Sequence, residues 1–234
     1  MPDLFRGGTL EMSQVPLTAP GTAELWGDCM VNRIAVMVCL ALIVVEIPNI
    51  LRIYPSLIRC VPLWKANVDV EHSMGTARTR NTISVVLIPV LCVLADRWRL
   101  IAPSFKTALP DYLQLAVTAG IIAGMLLLRR LLFIISRFRN RRNEYNATMQ
   151  NSLYNYLIIL CSVMLVTVLL LLAISAADEV VRVVLLAEAA FFSLLYLVRK
   201  SQILSSRFSS FATILYLCAL EILPIGILIF VCAL

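Results

Sequence analysis

An all-α bundle of membrane-spanning helices is the fold class this chain predicts, on three observations. Hydrophobic residues make up 61% of the 234 positions and charged residues 15%, against about 45–50% and about 25% in soluble domains. The mean hydropathy is +0.91, more apolar content than a water-facing fold can bury. The apolar residues also gather into segments close to the roughly 20 residues that a helix needs to cross a bilayer. Most soluble enzymes and nucleic-acid binders are excluded on these grounds, and the lipid bilayer is the first expected partner.

Taken in order, residues 1–33 carry Pro2, Pro16 and Pro20 among glycines and mixed charges, and read as an irregular tail. No basic stretch there leads directly into a short apolar core, so no cleavable signal peptide is expected. Residues 34–234 read as one transmembrane helical domain with six spans: 34–51, 83–100, 113–135, 153–177, 180–198 and 211–234. The second is the shortest in uninterrupted apolar core, Ile83–Ala95, and a re-entrant segment there would reduce the count to five. Tyr54–Trp64 mixes aromatic, apolar and basic residues, as either an interfacial segment or a plain linker does. The third helix continues past Arg129, with Leu131, Ile134, Ile135 and Phe138 on one face and Arg130, Arg137 and Arg141 on another.

Loop charges orient these spans. The chain is basic, with a net charge of +6 and a pI near 9.1. Alternate loops hold fourteen and six of the 20 Lys and Arg residues, and the richer side belongs in the cytoplasm. Both termini are then expected outside, in the periplasm of a Gram-negative cell. The basic excess is explained by topology, without a polyanion such as nucleic acid.

Ionisable residues within a bilayer cost about 2.5–3.5 kcal/mol at its centre and are functional candidates by default. Glu46, Glu188 and Glu221 are the three here. Glu188 and Glu221 fall near the middles of the fifth and sixth spans, so facing each other they would share one proton. That is a proton or cation site; the alternative is a pair of hydrogen-bonded carboxyls serving packing. Glu46 lies near the cytoplasmic end of its helix, as do Arg129 and Arg130, and an ion pair between Glu46 and one of these arginines is expected.

Pro48, Pro89 and Pro224 interrupt apolar segments, and each frees the carbonyl four residues earlier. For Pro224 that carbonyl belongs to Leu220, beside Glu221, so one kink offers a carboxyl and a backbone acceptor together. Ala116, Gly120 and Gly124 recur every four residues and leave one face of the third span bare for close helix packing, with contact inside the subunit favoured over contact between subunits. Ala187, Ala189 and Ala190 form a similar small patch around Glu188.

No cofactor or metal site is expected. His72 is the only histidine, which removes zincin, bis-histidine haem and Ser/His arrangements. Asp69 and Glu71 beside it read as solvated loop residues. The seven cysteines are too far apart for a CxxC motif, and most fall in apolar segments where Cys is a small hydrophobe.

Tyr216-Leu-Cys-Ala-Leu-Glu-Ile-Leu-Pro224, with the Ser205–Ser210 run before it and Trp26 ahead of the first span, resembles a domain-of-unknown-function family of small integral membrane proteins from Bacteroidota. The resemblance extends to the span spacing over most of the chain. It implies a bacterial inner-membrane location and brings no catalytic residues, but it sets Glu221 and Pro224 inside the motif. The function expected is that of a non-enzymatic accessory or scaffold subunit of a cell-envelope assembly, with a protein partner or a second copy. The alternative is a small proton- or ion-coupled transporter or channel using the intramembrane glutamates.

Overall fold

The computed structural model describes residues 26–103, 105–106, 109–137, 143–205, 213–214, 217–224 and 226–227. The expectations for residues 1–25, for Phe138 and Arg141, and for most of the sixth span lie outside them. Among the described residues the elements are α1 (Met30–Cys60), α2 (Trp64–His72), α3 (Met74–Arg97), α4 (Asp111–Arg137), α5 (Asn143–Ala173), α6 (Asp178–Ser205) and a π-helical turn at Cys218–Ile222. Five of these helices are long and apolar enough to cross a membrane: α1, α3, α4, α5 and α6. The protein is therefore a multi-pass helical membrane protein.

Packing follows from which helix hides its apolar surface. In α3, half of the most apolar window is buried, against 11% in α1, so α3 is the central helix and α1 presents Met37, Val44, Val45 and Leu51 outward. The core joins Ile53 and Leu57 of α1, Ile83, Leu87, Val90 and Leu94 of α3, Ile158, Cys161 and Met164 of α5, and Val181 and Leu185 of α6.

Polar contacts give the helix directions. Trp26, just before α1, donates Nε1–H to Asp96 at the end of α3 at 2.7 Å, so α1 and α3 are antiparallel. Glu71 accepts from Arg80 of early α3 at 2.7 Å and from Asn151 of early α5 at 2.9 Å, so α3 and α5 start at the same end. Arg97 approaches Asp178 at 3.9 Å, which puts the end of α3 beside the start of α6. The loops rich in Lys and Arg thus gather at one end of the bundle.

Several helices run beyond their expected limits. Expected to stop at Leu51, α1 continues to Cys60 because Ile53, Leu57 and Cys60 keep a buried stripe at helical spacing. Residues 54–60 are therefore helical rather than a plain linker. Past Val198, α6 continues to Ser205 for the same reason, with Tyr196, Lys200, Ile203 and Leu204 all buried. As a continuous helix of 24 residues, α3 has the length to cross.

The ends of α3 and α5 share one stop. Arg99 (φ 49°) and Ser175 (φ 53°) take the left-handed conformation. Leu100 N–H then bonds the Ala95 carbonyl and Arg99 N–H that of Asp96, while Ala176 and Ser175 make the matching bonds to Leu171 and Leu172. Both are Schellman closures, built here without the usual glycine.

At the basic end, the turn after α1 is held by side chains. The Cys60 carbonyl accepts Tyr156 Oη–H at 3.0 Å and Asn67 Nδ2–H at 3.5 Å, and Val61 O accepts from Arg199 at 2.8 Å. Asn155 completes the group by donating to Asn67 Oδ1 at 2.9 Å.

Candidate functional site

Glu221 sits on the π-helical turn, and the turn has a local cause. Pro224 has no N–H to return to the Leu220 carbonyl, and its ring crowds that carbonyl, so the chain widens by one residue. Leu223 N–H reaches back five residues to Cys218 O. Such single π-turns recur at functional sites. The irregular backbone and the carboxyl thus occupy the same turn.

The carboxylate is buried among cations. Glu221 Oε1 accepts from Arg129 Nε at 3.1 Å, from Tyr196 Oη at 2.8 Å and from Lys200 Nζ. Arg129 also donates through Nη2 to the Tyr196 hydroxyl, and Lys200 reaches the same hydroxyl at 3.1 Å. The guanidinium lies 5.5 Å from the Tyr196 ring centre and the ammonium 5.6 Å, in range for cation–π attraction. Tyr196, Lys200 and Glu221 are all nearly sealed from solvent. Burying one charge alone in low dielectric is costly, and paired, hydrogen-bonded charges are the form in which it is tolerated.

Two pockets meet at this cluster. One, of about 120 Å³, is lined by Arg129, Arg130, Tyr154, Lys200 and Glu221 together with Leu126, Leu127 and Phe133. The other, of about 360 Å³, lies between α3, α4, α5 and α6 and is apolar apart from the end where Arg129, Tyr196 and Glu221 close it. Pro224 is part of that wall.

Other expected residues stand elsewhere. Glu188 accepts from Thr167 Oγ1 at 2.5 Å, and its second oxygen is buried without a partner. It precedes Tyr196 by eight residues of α6, roughly 12 Å along the axis at 1.5 Å per residue, so it does not face Glu221. Glu46 accepts from Asn49 at 2.9 Å, and Arg129 is bound to Glu221 in place of Glu46, because α4 turns Arg129 inward toward α6. Arg130, the next residue, is exposed at the pocket mouth. Ala116, Gly120 and Gly124 are likewise exposed, and a Cβ added at either glycine meets nothing within 4 Å. The close packing inside the subunit expected of that face is therefore absent among the described residues.

The sequence pattern does not single out Lys200 or Tyr196. Hydropathy places Lys200 among the loop charges, and its only signal is the spacing of four from Tyr196 on a helix extended past Val198. A second buried ion pair is equally hidden in the sequence. Lys106 binds Asp96 at 2.6 Å, Thr118 bridges both, donating to Asp96 at 2.7 Å and accepting from Lys106 at 2.8 Å, and Trp26 donates to the other oxygen of Asp96. Among the described residues no group of His, Cys, Asp and Glu is arranged to hold a metal.

Neither curated proteins nor solved structures yield a match to this chain. A family model described as Domain of unknown function (DUF4271) matches residues 78–231, nearly the whole of α3 and everything through the π-helical turn. The matched region holds Arg129, Tyr196, Lys200, Glu221 and Pro224, and the 216–224 stretch on which the family resemblance rests. Since that region is most of the chain and contains the entire charged cluster, the protein belongs to the DUF4271 family.

Proposed function

We propose that this protein is a non-enzymatic, multi-pass subunit of the bacterial inner membrane, an accessory or scaffold component of a cell-envelope assembly. Residues 34–234 act as one transmembrane domain behind the tail of residues 1–33. The reading is carried by the open face of α4, where a side chain added at Gly120 or Gly124 would find nothing within 4 Å and Ala116 is exposed beside them. Small residues at this spacing let a second helix approach closely in lipid. Here the approaching helix belongs to a partner protein or a second copy.

The disposition of the glutamates supports this reading over ion-coupled transport. A shared-proton pair needs Glu188 and Glu221 side by side, whereas Glu221 is held by two cations and a phenol and Glu188 by Thr167. The reading calls for no cofactor, metal or nucleic acid.

The test is purification of the full chain from a Gram-negative host in mild detergent, followed by native mass measurement. A dimer or a co-purifying membrane protein is expected, and Gly120→Leu with Gly124→Leu should dissociate it without lowering the Tm. A monodisperse monomer with no co-purifying protein would overturn the proposal.

A further inference from the structure

The two pockets that meet at Arg129 and Glu221 have complementary characters. The larger, about 360 Å³, falls at the lower end of the roughly 300–1,000 Å³ typical of ligand sites. Leu91, Leu126, Leu157, Met164 and Phe192 are among the residues that make it apolar. An apolar space of this kind does not attract water, and hydrocarbon is its natural filling inside a bilayer. The smaller pocket, about 120 Å³, has room for a compact polar group, being about four times the ~30 Å³ share of one water molecule.

Charge then selects the polar group. Arg129, Arg130 and Lys200 line the smaller pocket, and Glu221 is the acidic side chain among its lining residues, which leaves two positive charges in excess. A phosphate monoester carries about −1.5 to −2 at pH 7, and guanidinium groups match its oxygens in bidentate fashion. Depth agrees with a lipid head. Arg129 stands five residues before the end of the apolar stretch Tyr112–Ile134, roughly 8 Å from it at 1.5 Å per residue. The pockets share Leu126, Arg129 and Glu221 as common wall, so a chain in one and a head in the other belong to a single molecule.

We propose that this double pocket binds a lipid phosphate monoester with one hydrocarbon chain, its head at Arg129, Arg130 and Lys200 and its chain in the apolar cavity. This site is independent of the open α4 face and of the assembly role argued from it.

The probe is 1-oleoyl lysophosphatidate, added to the full-length protein in a non-ionic detergent and read by native mass spectrometry and by the rise in Tm. Mono-oleoylglycerol supplies the chain without charge, and inorganic phosphate the head without a chain. Lysophosphatidate is expected to bind at least tenfold more tightly than either. Arg130→Gln, at an exposed position, should weaken it about tenfold while leaving the unliganded Tm unchanged. Met164→Trp should abolish binding by filling the cavity, and Leu126→Trp does the same from the opposite wall should the first variant fold poorly. Equal binding of mono-oleoylglycerol, equal binding of phosphate alone, or wild-type affinity in both Arg130→Gln and a folded cavity-filling variant would each overturn the proposal.

Discussion

Lys200 of α6 and Glu221 of the π-helical turn form an ion pair with both side chains almost wholly buried. It closes the end of an apolar cavity and ties the C-terminal segment to the bundle. Because Arg129 binds the same carboxylate oxygen, the three residues are not equivalent. Removing Glu221 leaves two buried cations facing each other, whereas removing Lys200 leaves an intact pair.

Glu221→Gln is therefore expected to destabilise the protein by about 3–5 kcal/mol, the usual cost of breaking a buried pair from one side. Lys200→Met should cost clearly less. Adding Lys200→Met to Glu221→Gln should restore part of the loss, since it removes one of the stranded cations. Denaturation in detergent of the two single variants and the double variant measures this coupling, and equal losses from both single substitutions would contradict the asymmetry.

At the other end of the bundle, Asp96 holds Lys106, Thr118 and Trp26 together. Thr118→Val removes a hydroxyl bonded to two charged groups, and a hydrogen bond to a charged group is worth about 1.5–3 kcal/mol. Asp96→Asn should cost more, because Lys106 is then buried without a counter-charge. Unfolding followed by tryptophan fluorescence tests this order, and Trp26→Phe identifies the Trp26 contribution to the signal.

Arg99 and Ser175 occupy left-handed positions that cost a residue with a side chain about 1–2 kcal/mol. Ser175→Gly, at an exposed position, should raise stability by about 1 kcal/mol after allowing for the greater freedom of glycine in the unfolded chain. A raised Tm in the single variant is the expected result, and a lowered Tm would show that the serine is favoured for another reason.

Glu46→Gln should change stability by less than about 0.5 kcal/mol. Its present contact is donation from Asn49, which a glutamine carbonyl accepts equally well, and no arginine loses a partner. A loss of several kcal/mol, matched by the same loss in Arg130→Gln, would point back to an ion pair between them.

Membrane character and the middle of each span are legible in the sequence, because burial in lipid demands a long apolar run that composition alone reveals. Helix ends are not. The stops at Arg99 and Ser175 carry no glycine, and the extension of α6 passes through Arg199 and Lys200, which hydropathy scores as a loop. Glu221 and Pro224 stand out as misfits in an apolar run, and both belong to the cluster. The partner of Glu221 does not stand out, since Arg129 lies 92 residues away and only the packing of α4 against the C-terminal segment joins them. Glu188 stands out equally well, yet α6 carries it to a different depth. An intramembrane carboxyl can thus be recognised locally, while its neighbour is a property of the assembled bundle.

The widened turn before Pro224 also fixes a phase. Each residue of an α-helix advances about 100° around the axis, so the extra residue in Cys218–Ile222 sets the side chains that follow out of step with those before it. Deleting one residue from this turn would return the segment to a regular spiral and swing either Glu221 or Pro224 away from the cavity they now share. The two can face the same space only because the helix miscounts between them.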